Sequence, residues 1–92
     1  MIQKITLSKG NILTKNNLRQ ILDSARSTYQ YARFDLHKGI YITIQYNRDN
    51  TIEVFTNSRD INLWQQIKFL RGGYSQTKII DFIFRWINQI NK

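Results

Sequence analysis

Residues 31–56, YARFDLHKGIYITIQYNRDNTIEVFT, hold the pattern that decides the fold. Apolar and polar side chains alternate with a period of two in three short runs, as they do in strands that are buried on one side. Residues 37–39 and 47–50 separate the runs, and their glycine, asparagine and aspartate are typical of turns. The stretch therefore predicts an antiparallel meander of three strands.

The segments around this meander predict helices and one more strand. Residues 2–8 alternate as a short strand, and residues 15–28 repeat apolar positions at helical spacing, with Thr14 as the expected N-cap. Two further helices follow the meander, so the predicted order is β-α-β-β-β-α-α. We expect one α+β domain over residues 1–92. In its two layers, a three- to four-stranded, mainly antiparallel sheet packs against helices.

The first helix after the meander is predicted over residues 61–70. Its apolar positions form one broad stripe that includes Ile61 and Trp64, so we expect both side chains in the core. Alternatively, an exposed Trp64 in line with Lys68 and Arg71 could stack on a base or bind a partner. Gly72 is well placed to end this helix in a left-handed conformation.

The last helix, for which Ser75 is the expected N-cap, is apolar over most of its circumference. A helix of this kind is usually buried on more than one side. It can be the central packing element of the domain. Alternatively, the apolar excess around Phe82, Trp86 and Ile90 can form an exposed strip that seals a homodimer or binds another protein.

Charge is the strongest compositional signal, since 14 Lys and Arg oppose 6 Asp and Glu for a net charge of +8. This predicts a polyanionic partner, either nucleic acid or an acidic protein surface, although excess charge can also serve solubility alone. The chain has no cysteine, no signal-peptide pattern and no apolar run near the ~20 residues that span a bilayer. We expect no metal, no cofactor, no membrane contact and a cytoplasmic location. The Ile- and Asn-rich, proline-free composition also suggests an AT-rich viral or mobile element.

The outer face of the predicted sheet is the first candidate site. The pleat should direct Tyr31, Arg33, Tyr41 and Phe55 outward, together with Thr43 and Gln45. Aromatic rings and a cation on an open sheet are what single-stranded nucleic acid binding uses. Acidic side chains on the same face weaken this interpretation. The rings can also be ordinary cross-strand partners, or the last helix can cover them.

Basic side chains outside the sheet face are the second set of candidates. Lys38 and Arg48 lie in the predicted turns, and Arg71 and Lys78 flank the glycine-containing connection before the last helix. Each could contact a phosphate group. Glycines before a helix N-terminus can present N–H groups to an anion, but a plain helix–helix connection explains the same residues.

The sequence offers little for catalysis. The single histidine, His37, lies in a predicted turn, and the chain has one glutamate, so we predict no catalytic residues and no enzyme. The order of helix, three strands and helix resembles that of double-stranded-RNA-binding domains and of small basic toxins that cleave mRNA, in order alone. The leading hypothesis is a small, non-enzymatic nucleic-acid-binding protein. The alternative is a protein-binding inhibitor or adaptor that docks on an acidic surface of a host protein.

Overall fold

The order of strands and helices is the predicted one. A computed structural model describes residues 3–11, 13–70 and 75–91. A short 3-10 turn, His37–Gly39, joins the second and third strands. The regular elements are β1 (Gln3–Thr6), α1 (Lys15–Ser27), β2 (Tyr31–Asp35), β3 (Tyr41–Tyr46), β4 (Ile52–Thr56), α2 (Ile61–Leu70) and α3 (Gln76–Ile90).

The four strands form one sheet in the order β1-β2-β3-β4. β2, β3 and β4 pair antiparallel, with Ile44 opposite both Ala32 and Val54. β1 pairs parallel to β2, which α1 makes possible because it carries the chain back across the sheet. The sheet is therefore mixed and mostly antiparallel, and the α+β prediction is confirmed.

Both turns of the meander use left-handed backbone. Lys38 and Gly39 have φ values of 66° and 69° in the first turn, and Asn50 has a φ of 66° in the second. Asparagine and glycine adopt this conformation at low cost, which explains why these residue types marked the turns. The turns set the register that puts one face of the meander into the core.

α1 begins as predicted. The N–H of Asn17 donates to the Thr14 hydroxyl over 3.2 Å, so Thr14 caps a helix end that would otherwise leave its first N–H groups without partners. The buried side of α1 carries Leu18, Leu22 and Ala25. Ser75 holds the N-cap position of α3, but its hydroxyl makes no capping hydrogen bond.

The core lies between the inner face of the sheet and the three helices, which we call the helical layer (α1, α2 and α3). Every helix contributes buried side chains to the same apolar cluster as the strands. The alternation of the strands then leaves the opposite face of the sheet away from that cluster. The sheet contributes Ala32, Phe34, Ile42, Ile44, Tyr46 and Val54 to the core.

α2, the first helix after the meander, departs from the prediction. Ile61 and Trp64 were predicted in the core, but Ile61 is 70% exposed and Trp64 38% exposed, so this prediction was wrong. α2 buries a narrower stripe because it packs at the edge of the domain, through Leu63, Ile67 and Leu70.

α3 is the central packing element, because Phe82 and Trp86 are buried in the chain's own core and Ile90 packs partly against it. The apolar excess of α3 therefore does not form an exposed strip. Homodimerisation through α3 stays a prediction, without that strip as support.

Asn91 joins the end of α3 by hydrogen bonds to loops that are distant in sequence, and the sequence pattern did not predict this. Its side chain is fully buried. The side-chain oxygen accepts from the His37 N–H over 3.0 Å, and the side-chain nitrogen donates to the carbonyls of Leu7 and Asn11 over 3.3 and 3.2 Å. The Asn91 carbonyl also accepts from the Gly10 N–H over 2.7 Å. The buried amide thus has partners for both its donor and its acceptor, as a polar group in a core requires.

The predictions for Arg71 and Gly72 lie outside the described residues. None of the helices in the described part of the chain is long and apolar enough to cross a membrane.

Candidate nucleic-acid interface

The six side chains predicted to point outward from the sheet do lie together. They line one shallow concavity of about 360 Å³ on the side of the sheet away from the core. We call this surface the outer face; its members are Tyr31, Arg33, Tyr41, Thr43, Gln45 and Phe55. Within residues 3–11, 13–70 and 75–91 no helix contributes to the lining, so the predicted alternative in which the last helix covers the rings does not hold there.

The strand register fixes how these side chains neighbour one another. Arg33, Thr43 and Phe55 are directly opposite each other and form a row across β2, β3 and β4. Tyr31 and Tyr41 lie on either side of that row, at opposite ends of the face. Opposed residues on one face have Cβ atoms about 4.5–5.5 Å apart. The rings therefore surround a small polar centre rather than stacking on one another.

Exposure differs across the outer face. Phe55 on edge strand β4 is 47% exposed, whereas Thr43 at the centre is only 8% exposed. Tyr31, Arg33 and Tyr41 are half-buried. Phe55 is the most accessible ring, and the two tyrosines present part of each ring to the concavity.

Arg33 is held in place by two neighbours on the outer face. Its Nε and Nη2 atoms donate to Asp35 Oδ1 over 3.1 and 3.0 Å, and its guanidinium lies 4.3 Å from the centroid of the Tyr41 ring. The hydrogen bond and charge of Asp35 raise the pKa of Arg33. Because Asp35 occupies one side of the guanidinium fork, Arg33 offers a stacked, planar cation more than a free clamp for phosphate.

Tyr41 is positioned through its backbone by the end of β4. Its N–H donates to Asn57 Oδ1 over 2.9 Å, and its carbonyl accepts from the Thr56 hydroxyl over 2.7 Å. Asn57 also donates from Nδ2 to the Gly39 carbonyl over 2.8 Å, which ties the preceding turn to the same point. Sequence reasoning missed these supports, although two polar residues where a strand ends are a usable signal.

Positive and negative side chains are equal in number on the sheet side of the domain, by which we mean the side of the sheet away from the core. Lys4 pairs with Arg33 in the parallel register and so shares its side of the sheet, while Glu53 pairs with Gln45. Two cations, Lys4 and Arg33, thus oppose two carboxylates, Asp35 and Glu53, for a net charge of zero. The +8 charge of the chain lies elsewhere.

The predicted phosphate contacts outside the face are spread over the molecule. Lys38 and Arg48 are exposed in the turns at the two ends of β3, and Arg48 lies 5.2 Å from the Tyr29 ring centroid. Lys78 is an exposed residue of α3, so the structure places it in the helical layer and not beside the outer face. Arg71 lies outside the described residues.

The outer face has the chemistry of a binding surface. Its groups can stack, through three rings and a guanidinium, and can form hydrogen bonds through Gln45. The described residues contain no group of three or more His, Cys, Asp or Glu that could hold a metal ion. His37 lies in the turn beside β3, where its N–H is bound by Asn91.

Comparison with known proteins gives no likeness from which to assign this surface. No protein-family model matches the chain, and no curated protein or solved structure matches it. The functional proposal therefore rests on the geometry of the outer face.

Proposed function

We propose that this protein is a non-enzymatic, cytoplasmic binder of single-stranded nucleic acid, whose bases stack on the outer face of the sheet. One observation carries the proposal: three aromatic rings and a stacked guanidinium line one concavity that the described helices leave uncovered. Rings held on a rigid sheet lose little conformational freedom when a base stacks on them, which favours binding.

Each ring has a distinct part in the proposed mechanism. Phe55, the most exposed ring, takes the first base, and Tyr31 and Tyr41 take bases at either end of the face. Base–aromatic stacking contributes about 1–3 kcal/mol per base. Gln45, which is half-buried beside the rings, can form hydrogen bonds with base edges, which would give a modest sequence preference.

In the proposed mechanism, basic side chains at the rim of the outer face bind the phosphates. Lys38 and Arg48 lie at the two ends of β3, and Lys4 lies on edge strand β1. Three phosphate contacts correspond to a slope of about −2 for the logarithm of affinity against the logarithm of salt concentration. The proposal therefore predicts a moderate salt dependence, smaller than the +8 charge of the chain alone would suggest.

Fluorescence anisotropy with labelled single-stranded DNA, single-stranded RNA and duplex DNA tests the proposal. We expect binding of single strands that persists near physiological salt and exceeds binding of the duplex. Tyr41→Ala should weaken it about tenfold or more, from the loss of one stacked base. The control is Trp64→Ala, which makes the same kind of change at a ring that is 38% exposed but lies on α2, off the outer face.

Two results would overturn the proposal. One is binding that appears only at low salt and does not distinguish single strands from duplex, which is the behaviour of a nonspecific cation. The other is an equal loss of affinity in Tyr41→Ala and in Trp64→Ala, which would show that the outer face is not the site.

A further inference from the structure

The two layers of the domain meet at one end of the sheet in a cleft that we call the end cleft. It has a volume of about 650 Å³. The end of α1, the turn between β3 and β4 and the start of α3 enclose it. Hydroxyl and amide side chains dominate its described lining, among them Ser27, Asn47, Asn50 and Gln76. A concave site of this size with converging polar groups can hold one small molecule or one unit of a polymer.

Arg26 brings part of the charge of the helical layer to the end cleft. Six cations on α1, α2 and α3 oppose two carboxylates, which gives this layer a net charge of +4, half of the total for the chain. The cations are Lys15, Arg19, Arg26, Lys68, Lys78 and Arg85, and the carboxylates are Asp23 and Asp81. Arg26 lines the end cleft and is exposed, and it forms no ion pair with another described residue. Its guanidinium can therefore bind an anionic group of a ligand.

Asp23 is the carboxylate of the described lining, and it has a partner within the protein. Gln76 Nε2 donates to Asp23 Oδ1 over 3.0 Å, and Gln76 Oε1 accepts from the Tyr46 hydroxyl over 3.0 Å. These hydrogen bonds join α1, α3 and β3 at the end cleft and so fix its shape. The carboxylate thus has a structural part, which leaves Arg26 to interact with a ligand.

Tyr29 gives the end cleft an accessible ring. The residue is 46% exposed although the guanidinium of Arg48 lies 5.2 Å from its ring centroid. Its φ of 52° is a left-handed conformation that asparagine or glycine adopts at lower cost, so the turn by itself does not favour a tyrosine here. Ring and guanidinium together offer a surface for stacking and a positive charge, as Tyr41 and Arg33 do on the outer face.

The end cleft adjoins the outer face. Tyr29 precedes Tyr31 by two residues, and two residues of backbone span at most about 7 Å. Gln45, which is opposite Tyr31 in the register, donates from Nε2 to the carbonyl of Tyr46, a residue of the end cleft, over 3.1 Å. A single strand of nucleic acid that crosses the outer face past Tyr31 can therefore reach the end cleft with its next nucleotide.

The groups at the end cleft match both parts of a nucleotide. A base can stack on the part of the Tyr29 ring that Arg48 leaves exposed, and amide side chains such as Asn50 can form hydrogen bonds with its edge. The phosphates on either side of that base can bind Arg26 and Arg48. A carboxylate of an acidic protein would match the two arginines but has no planar ring to stack on Tyr29.

We propose that the end cleft binds the nucleotide that follows the base on Tyr31, with its base on Tyr29 and its phosphate at Arg26. This inference rests on the proposed function, because it needs a single strand on the outer face. It adds a fourth aromatic position and a fourth phosphate contact to those proposed for the outer face and its rim. The protein then binds a strand that is one nucleotide longer than the outer face alone accommodates.

Oligothymidines of increasing length, measured by fluorescence anisotropy with the whole chain, test the inference. For the native chain we expect affinity to rise with each added nucleotide until the site is full. In Tyr29→Asn the affinity should stop rising one nucleotide earlier, and the longest strands should bind about fivefold or more weakly, from the loss of one stacked base. Asparagine tolerates the φ at this position. The matched control is Tyr29→Phe, which keeps the ring and should keep the affinity.

Arg26→Gln tests the phosphate contact. Loss of one contact should make the slope of the logarithm of affinity against the logarithm of salt concentration shallower by about 0.7, which Tyr29→Asn should not do. The control is Arg19→Gln, which makes the same charge change at an exposed residue of α1 outside the described lining of the end cleft. Equal changes of slope in the two arginine variants would overturn the contact at Arg26.

The tyrosine variants separate this inference from the proposed function. If Tyr41→Ala weakens binding and Tyr29→Asn does not, the end cleft is not part of the site and the outer face stands. Equal losses in Tyr29→Phe and Tyr29→Asn would likewise overturn stacking in the end cleft. If neither Tyr41→Ala nor Tyr29→Asn weakens binding, both proposals fail. A loss in Tyr29→Asn alone would overturn the continuous path from the outer face into the end cleft.

Discussion

The outer face of the sheet and the helical layer lie on opposite sides of the same strands, yet they share almost no surface chemistry. The outer face is aromatic, half-buried and electrically balanced, with Arg33 tied to Asp35. The helical layer has a net charge of +4 and a groove ringed by Lys15, Lys78 and Arg85. The net charge of a chain therefore does not tell where a polyanion makes contact.

The difference suggests that the charges that attract a polyanion and the groups that contact it lie on different surfaces of the domain. Charges across a small domain raise the rate at which a polyanion arrives, and this effect reaches beyond the residues that touch it. Affinity that survives salt has to come from stacking and hydrogen bonds at short range. Under the proposed function, the first property belongs mainly to the helical layer and the second to the outer face.

The strongest effect that we expect distinguishes the two faces of the sheet, by one substitution on each face. Phe34→Ala removes a fully buried ring from the inner face, and we expect the free energy of unfolding to fall by about 3–5 kcal/mol. Phe55→Ala removes a ring that is 47% exposed, and we expect a loss of about 1 kcal/mol or less.

Urea denaturation measures both variants, and anisotropy measures oligonucleotide binding by Phe55→Ala. The outer face would be structural rather than functional if Phe55→Ala were as destabilising as Phe34→Ala. It would also lose its proposed role if Phe55→Ala kept full affinity for single strands.

The second effect is a pH dependence of stability that involves Tyr46 on the inner face of the sheet. Burial raises the pKa of Tyr46 to about 12, and its hydroxyl donates to Gln76 Oε1 of α3 over 3.0 Å. A tyrosine in the unfolded chain titrates near pH 10, so the unfolded state releases its proton first as pH rises. The stability that Tyr46 contributes is present below about pH 10 and decreases by about 1.4 kcal/mol per unit up to about pH 12.

Tyr46→Phe isolates this contribution. We expect the variant to be about 1 kcal/mol less stable near neutral pH, because the bond to Gln76 is lost, and to show a flatter decline in stability above about pH 10. Urea midpoints at about pH 9 and about pH 11 give the comparison. If the stability of the native chain and that of the variant declined equally as pH rises, groups other than Tyr46 would control the loss of stability above about pH 10.

The third effect alters the charge of the outer face alone. Asp35→Asn removes the carboxylate that holds the Arg33 guanidinium and gives the sheet side a net charge of +1. We expect oligonucleotide affinity to rise about three- to tenfold at low salt, with a steeper salt dependence, as one more phosphate is neutralised. A salt titration by anisotropy would reveal this, and unchanged affinity and slope would mean that nucleic acid does not reach Arg33.

The smallest effect is a charge reversal on the helical layer. Arg19→Glu changes an exposed residue of α1 that does not line the outer face. Charges a full layer away, about 10 Å or more, are largely screened near physiological salt. We expect less than about a twofold loss of affinity for single strands there. A loss larger than that of Tyr41→Ala would place the contact on the helical layer instead of the outer face.

Much of the fold could be predicted because local pattern and tertiary structure agree. The period-two runs coincide with β2, β3 and β4, and Thr14 caps α1 as its position suggested. Two features needed the tertiary structure. The parallel pairing of β1 depends on where α1 leads the chain, and the exposure of Ile61 and Trp64 depends on α2 lying at the edge of the domain.

The residues of the candidate site could be predicted, but the distribution of charge around it could not. Alternation alone brought the six residues of the outer face together and placed Asp35 beside Arg33. Alternation does not say on which side of a domain the helical cations lie, so the position of Lys78 in the helical layer needed the tertiary structure. The backbone supports of Tyr41 come from a strand end 15 residues or more away in sequence.

Asn91 has a consequence for the order in which the protein acquires its structure during synthesis. Its side chain and carbonyl join residues 7, 10, 11 and 37 to a position translated long after them. The strands of the meander can pair while the ribosome is still adding α3, but the loops around β1 cannot be fixed until residue 91 has left the exit tunnel. We therefore expect a chain that stops short of Asn91 to keep those loops more open to proteases than a chain that includes it.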